Sequence, residues 1–377
     1  VNGLVVNDLV VNDTQVFVVG GGPAGLAVAI AARQRGLEVV VADGARPPID
    51  KPCGEGLMPD GRAALANLGV EIPAQSSHRF RGIRFVSGRL SVDASFPEGP
   101  GIGVRRTVLH QLMVARAEAA GVTLLWQSPV QGLHPQGVLL GDRIVPSRWV
   151  VGADGGQSLV RRWAGLDRYQ RNQTRFAFRR HYRISPWSDC MEVHWGPKCQ
   201  LYVTPVASDE ICVAVASHDS SLRLDTALPA FPEVAERLRD AEQTSVERGA
   251  ISSSRRLQQV STDHVALVGD ASGAVDSITG EGLCLTFRQA EALAECLAQG
   301  SLRRYRRQHR SLARRPAMMA RLMLTLDWNL PFRQRAMRAF GSDPQIFRRM
   351  LAMHVGALSP LQFAANGFSL GWQMLSQ

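Results

Sequence analysis

The amino-acid sequence reads as an α/β (α+β) chain in which a mostly parallel sheet carries an inserted antiparallel sheet and ends in a helical region. Three observations carry that reading. A strand, a glycine turn, a helix and a second strand succeed one another over residues 16–43; the periodicity changes from helical to alternating over 176–218; and helical spacing returns from 302 onward. At 377 residues the chain has room for two or three domains. The expected partition is a tail over 1–13, a discontinuous first domain over 14–79, 99–170 and 255–300, an inserted sheet domain over 80–98 and 171–254, and a helical region over 301–377.

Val16, Phe17, Val18 and Val19 make an apolar run that favours a strand. Gly20, Gly22 and Gly25 then satisfy G-x-G-x-x-G, with Pro23 and Ala24 inside it, and residues 26–35 keep helical spacing until Gly36. Residues 37–42 form a buried strand ending on Asp43, 23 residues beyond Gly20. The first glycine permits the tight turn, the second lets backbone N–H groups approach a pyrophosphate, and the third lets the helix lie against the strand. The helix start favours negative charge, and an acid at the end of the second strand can accept a ribose hydroxyl. A membrane span over 16–32 is the plainer alternative; its glycines and Pro23 break it, and it falls short of the ~20 residues a bilayer requires.

The net charge is +10, nearly all of it arginine, since Lys51 and Lys198 are the only lysines. A basic balance can serve nucleic acid, an anionic membrane or acidic substrates, but a solvated arginine-rich surface is the preferred reading. No nucleic-acid-binding signature accompanies the charge, so no nucleic-acid partner is expected. The six scattered cysteines form no C-x-x-C pair and meet no histidine cluster, which argues against a disulfide scaffold and a structural metal. With no charged-then-apolar leader before the first strand, a cytoplasmic location is expected. The repeated Leu-Val-Val-Asn-Asp at 4–8 and 9–13 reads as a short tail or an over-extended translation start.

Beyond Asp43, the loop 44–59 holds DKPCGEGLMP, in which Gly54 and Gly56 flank Glu55 beside Cys53. It reads either as a loop lining a reactive ring, with Cys53 or Glu55 as catalytic candidates, or as a tight connection with an inert cysteine. A helix is expected over 60–68, two strands around Gly88 over 80–96, a helix over 106–120 with Leu109, Leu112, Met113 and Ala117 on one face, and a strand over 122–130. A small hairpin over 137–145 leads to a buried strand, 149–153, that ends at Asp154-Gly155. Residues 176–184, 191–195, 201–206 and 211–217 read as successive antiparallel strands. Their His181, Tyr182, Arg183 and His194 could face a substrate, although such residues are more often satisfied on the sheet. The strand 265–268 ends at Gly269-Asp270, and Gly280 and Gly282 precede a helix over 283–298, repeating the logic of the first motif.

The ordered triple GGGPAG, GADGGQSLVR and VGDASGAVDSITGEGL resembles the flavoprotein superfamily of para-hydroxybenzoate hydroxylase, geranylgeranyl reductases and flavin-dependent halogenases. The resemblance implies a Rossmann-like FAD-binding domain. By it, Gly20, Gly22 and Gly25 hold the pyrophosphate, Asp43 the adenosine ribose, and Arg106 the phosphate and sugar region. Asp154 and Gly155 form the second fingerprint, Gly269-Asp270 binds the ribityl chain, and Gly280, Gly282 and Leu283 lie beside the isoalloxazine. The resemblance also tips the Cys53 loop towards the ring-lining role.

The aromatic hydroxylases have His and Pro in their third motif, where this chain has Ser272, Gly273 and Ser277. GDASG with TGEGL, and CGEGL at 53–57, are similar to geranylgeranyl reductases instead. The W-x-W-x-I-P motif of the halogenases is absent, although GEGLMP is faintly similar to their GE-x-x-x-P loop. Residues 302–315 carry seven arginines, with Leu302, Tyr305 and Leu312 on one face; Pro316 is expected to end that helix, and Met- and Leu-rich helices follow. This is either a cap with a solvated basic face or a surface for peripheral membrane contact. The expected activity is that of an NADH- or NADPH-driven monooxygenase, hydroxylating or epoxidising a small hydrophobic substrate with O2 through a flavin C4a-hydroperoxide. The alternatives are a prenyl C=C reductase, a halogenase, and a non-catalytic prenyl or lipid carrier on the same fold.

Overall fold

The computed structural model describes residues 4–6, 9–11 and 14–358. The N-terminal repeat pairs with itself, Leu4–Val6 antiparallel to Leu9–Val11. β1 (Thr14–Val19), α1 (Pro23–Arg33) and β2 (Val39–Ala42) form the glycine-turn unit, in which Val16, Phe17, Leu26 and Ile30 are wholly buried. After α2 (Pro59–Asn67) the chain leaves for a second sheet through β3 (Gly82–Ser87) and β4 (Leu90–Ser95). It returns with α3 (Arg106–Ala119), β5 (Thr123–Leu125) and β6 (Arg143–Gly152). The inserted sheet is completed by β7 (Tyr169–Arg183), β8 (Cys190–Trp195), β9 (Cys199–Ala207), β10 (Glu210–Ser217) and β11 (Arg248–Leu257). β12 (Val265–Leu267) and α4 (Gly282–Ala298) rejoin the first unit, and α5 (Tyr305–Trp328), α6 (Leu330–Ser342) and α7 (Pro344–His354) follow.

The parallel part of the first sheet has the order β5-β2-β1-β6-β12, and two antiparallel strands, Val130–His134 and Gly137–Leu140, extend it from the start of β6. Helices α1, α3 and α4 pack together beside it, so the β-branched strands are buried, as a parallel sheet requires. The second sheet has the order β11-β7-β10-β9-β8-β3-β4. One face of it meets α5, α6 and α7 in a core that includes Phe85, Met191, Met323, Phe340 and Phe347.

Several local expectations change. The helix does not stop at Pro316: α5 runs through it, with Pro316 itself buried. Proline removes one N–H bond, but Met319, Met323 and Leu324 on the following turns are buried, and that packing holds the helix together. The strand expected over 122–130 is only Thr123–Leu125, because Trp126 turns against Gly21 and Gln127 takes φ +57. The expected hairpin forms, Gly137–Leu140 pairing antiparallel with Arg143 to Pro146, but its second arm and the strand after it are one continuous β6. The inserted strands are not all antiparallel, since β8 runs parallel to β3. β11, rich in Ser and Arg, was not expected; it pairs along most of β7 and crosses the boundary placed at 254.

Candidate functional site

The three motif glycines differ in what surrounds them. Gly20 has φ +110, and a Cβ there would stand 2.6 Å from the Ala153 carbonyl oxygen; at Gly25 a Cβ would stand 1.8 Å from that of Gly20. Among the described residues, a Cβ on Gly22 would meet nothing within 4 Å. The outer glycines are therefore demanded by the chain itself, and the middle one opens on space where a ligand's phosphate can approach the backbone. Pro23 heads α1, whose start has no side-chain cap. Ala24 lies close enough to Gly269 that a Cβ there would be 2.7 Å from its methyl, which brings the third motif against the first helix.

Asp43 Oδ2 accepts from Gly21 N–H at 2.7 Å and Oδ1 from Ala45 N–H at 2.7 Å, so this acid also organises the turn it follows. His110 Nε2 donates to the Gly21 carbonyl at 2.9 Å, and burial pushes this imidazole's pKa down. His110 was missed in the sequence; it lies four residues after Arg106 on α3 and so shares its face. Arg106 is buried, and its Nε has no hydrogen-bond partner among the described residues. An orphaned buried guanidinium N–H beside an open glycine cradle fits the pyrophosphate of a dinucleotide.

The second motif spends its acid on its own loop. Asp154 accepts from Ser158 Oγ and from the N–H groups of Leu159 (2.7 Å) and Val160 (3.1 Å), capping the short helix Leu159–Trp163. Gly155, beside it, takes φ +80. Arg161, quoted in the motif without a role, ties it to the third: its guanidinium donates to the carbonyls of Gly156 (2.9 Å) and Ala271 (3.1 Å). In the third motif, Asp270 pairs with Lys51 at 2.9 Å, both half exposed. Gly280 has φ +67, α4 begins at Gly282 without a side-chain cap, Leu283 packs on the first core, and among the described residues a Cβ on Gly282 would meet nothing within 4 Å. The first and third motifs thus each offer an uncapped helix start beside an open glycine.

Glu55 sits with φ +60 at the joint between the two sheets, buried. Its Oε1 accepts from Arg106 N–H at 2.9 Å and its Oε2 from His181 Nε2 at 2.6 Å. The tautomer follows from the other ring nitrogen. Nδ1 lies 3.1 Å from Arg179 Nη1 and 3.3 Å from Arg105 Nη2, and guanidinium groups only donate, so Nδ1 accepts and Nε2 carries the hydrogen. Glu55, His181 and Cys212 bring ligand-type atoms within 4.8 Å of one another. The imidazole lone pair is turned towards two guanidiniums and burial holds the Cys212 thiol well above its ordinary range, so the cluster reads as a hydrogen-bonded joint. Cys53 is half-buried, its thiol pKa raised by burial, and it accepts from Glu55 N–H at 3.4 Å. Tyr182 and His194 are buried in the sheet, His194 pairing with Glu192 at 2.9 Å, and Arg183 pairs with Glu242 on the surface.

Between β3, β8 and β9 on one side and α5 and α7 on the other lies a narrow apolar slot of about 20 Å³, five of whose lining residues are methionines: Met58, Met191, Met319, Met323 and Met350. Tyr202, Thr279 and His354 are its polar members. Behind His354 is a buried charge cluster. Glu281 Oε2 lies 3.5 Å from His354 Nδ1, Arg315 reaches Glu281 Oε1 at 3.3 Å, and Arg315 also bonds Asp60 at 2.8 Å. Burial pushes the Glu281 carboxyl up to about 8 against the pull of Arg315, and pushes His354 down to about 4. At neutral pH the pair therefore holds one dissociable proton, on Glu281, next to an uncharged imidazole facing the slot.

The description "FAD binding domain" names the family model that matches residues 13–308. The menaquinone reductase of Mycobacterium tuberculosis is 29% identical over 320 residues, covering 78% of each chain. Digeranylgeranylglycerophospholipid reductase 1 of Methanothermobacter thermautotrophicus is 26% identical over 300 residues, covering 73% of this chain and 74% of its own. Among solved structures, a flavoprotein/dehydrogenase from Cytophaga hutchinsonii superposes with a TM-score of 0.79 at 19% identity, over 92% of this chain and 93% of that one. Among the described residues, no helix is long and apolar enough to cross a membrane.

Proposed function

We propose, for a chain that belongs to the FAD binding domain family, that it reduces carbon–carbon double bonds of a polyprenyl chain with electrons from NADH or NADPH. The observation that carries this reading is the methionine-lined slot, which ends on Thr279 next to the glycines of the third motif. The reductase names of the relatives support it over the oxygen-inserting reaction favoured by the sequence alone. Gly22, Arg106 and the start of α4 would hold the FAD. FAD, when bound and reduced, supplies the hydride.

The chain's own residues supply the rest. Methionine side chains are unbranched and re-pack around an irregular apolar guest, so the slot of about 20 Å³, room for one water, would widen by rotamer changes to take a prenyl chain. The same side chains exclude water from the double bond. Reduction adds a hydride to one alkene carbon and a proton to the other; Glu281 gives its proton to His354 Nδ1, and the imidazole passes one to the slot. The resulting carboxylate is held by Arg315 until His354 Nδ1 returns the proton to it and Nε2 takes a new one from solvent, which restores the starting tautomer. Such proton transfer contributes roughly 10²–10⁴-fold to rate.

The test is anaerobic: chemically reduced, FAD-loaded protein is mixed with a short menaquinone or with geranylgeraniol. Return of the oxidised flavin absorbance, with a product heavier by two hydrogens, is the expected result. An unchanged reduced spectrum, together with an oxygenated product formed in air, would replace this reading with a monooxygenase.

A further inference from the structure

A second and larger cavity, of about 460 Å³, lies on the face of α5 opposite the slot, between that helix and β11. Part of its wall is the back of the third motif, Ser272 to Asp276, with Gln289 and His309 beside it. Gln289 accepts from Gly269 N–H at 3.2 Å, and His309 reaches Gln289 at 3.0 Å and Ser272 Oγ at 2.8 Å.

The lining is unusual in its charge. Six arginines line the cavity, Arg255 and Arg256 from β11 and Arg306, Arg310, Arg314 and Arg321 from one face of α5, and the Arg255 guanidinium is taken up by the Gly156 carbonyl and the Tyr169 ring. Like charges four residues apart on a helix repel, so this row stands against local preference. Among the described residues the lining holds one acid, Asp276, already bonded to Arg175 at 3.1 Å and Ser254 at 3.2 Å. Arg306 and Arg310 are steadied by uncharged oxygens of Gln259, Ser261 and Gln258. Beneath this rim the wall is apolar, with Leu257, Val260, Ala320 and Leu324 buried. A merely solvated basic face has no need of an apolar floor. The arginine run of the sequence accordingly divides: Arg303 and Arg307 are exposed and absent from the lining, Arg315 turns inward to Asp60, and Arg306, Arg310 and Arg314 edge the cavity. The volume is that of an ordinary small-molecule site, and planar guanidiniums suit bidentate bonding to phosphate.

We propose that this cavity binds a phosphate-bearing amphiphile, its phosphate among Arg256, Arg310, Arg314 and Arg321 and its apolar chain over Leu257 and Leu324. The inference is independent of the reaction the chain performs. Calorimetric titration of FAD-loaded protein with dodecyl phosphate, inorganic phosphate, dodecanoate and dodecyl maltoside, each below its micelle concentration, tests it. Dodecyl phosphate should bind about tenfold or more tightly than the other three. The double variant Arg310→Ala/Arg314→Ala should weaken it about tenfold or more, with FAD content and melting temperature unchanged, since both side chains are exposed. Arg303→Ala/Arg307→Ala removes the same charge from the same segment and should leave binding as it was, and Ala317→Trp should block it by filling the cavity. Equal binding of the maltoside or of dodecanoate, or equal losses in the two arginine pairs, would overturn the proposal. Vesicles of phosphatidylcholine with and without phosphatidylglycerol separate the sources. Sedimentation with the phosphatidylglycerol vesicles that disappears in Arg310→Ala/Arg314→Ala assigns the phosphate to a membrane lipid, and dodecyl phosphate binding without sedimentation assigns it to a free ester.

Discussion

Replacing Glu281 by glutamine should make the protein more stable relative to the wild type as pH rises. The unfolded carboxyl loses its proton near 4.5 and the folded one at about 8, so between those values the folded state holds the extra proton. The wild type therefore has its full contribution from this group below about 4.5 and loses it as pH climbs through about 8. The full slope is about 1.4 kcal/mol per pH unit, and the whole window amounts to at most about 5 kcal/mol. Glutamine keeps the shape and stays neutral, and Arg315 retains Asp60 at 2.8 Å. Urea denaturation of both proteins in excess FAD, from about pH 5 to 8, should give a stability difference that grows in favour of the variant by about 0.7–1.4 kcal/mol per pH unit. Other titrating groups cancel in the difference, and His354, held down at about 4, stays neutral throughout. A difference that is flat across the range would refute the reasoning, because it would mean that Glu281 is ionised in the folded protein at all these pH values.

Gly22→Ala should leave the melting temperature within a degree or two yet lower FAD occupancy, whereas Gly25→Ala, whose Cβ meets a carbonyl oxygen at 1.8 Å, should lower both, by about 1–3 kcal/mol in stability; melting curves and flavin absorbance of the purified variants decide this. Arg106→Ala should weaken FAD retention on dialysis by about tenfold or more, and undiminished occupancy would remove Arg106 from the cofactor site. Met323→Trp should abolish prenyl reduction by filling the slot while FAD occupancy stays full, as read by anaerobic reoxidation and flavin absorbance. Cys53→Ala should spare FAD and lower turnover; unchanged turnover would make that cysteine an inert part of its loop.

The nucleotide-binding unit was legible because its chemistry constrains residue type at fixed spacing. Gly20 and Gly25 admit no side chain, and β1 and β2 need buried β-branched residues on both faces. β11 escaped detection because Ser and Arg on a strand paired along β7 leave no apolar alternation. Pro316 misled because local propensity was outweighed by burial on the turns around it. The proton-bearing cluster was illegible for a different reason: Asp60, Glu281, Arg315 and His354 come from four distant segments, and only the packing of α2, α4, α5 and α7 brings them together. The cavity was half legible, its arginine row standing out in the sequence while the apolar floor that Leu257 and Val260 share with Ala320 and Leu324 did not.

The position of β6 has a consequence for the order of folding. Its neighbours in the parallel sheet are β1, more than a hundred residues earlier, and β12, more than a hundred later. During synthesis one edge of β6 must wait, unpaired, until the whole inserted sheet and β12 have emerged. Such distant pairings slow folding, and a waiting edge of Val and Trp is a template for other chains. The growing chain is thus most exposed to aggregation while residues 153–264 are being made, and a chaperone that shields that edge should raise the soluble yield.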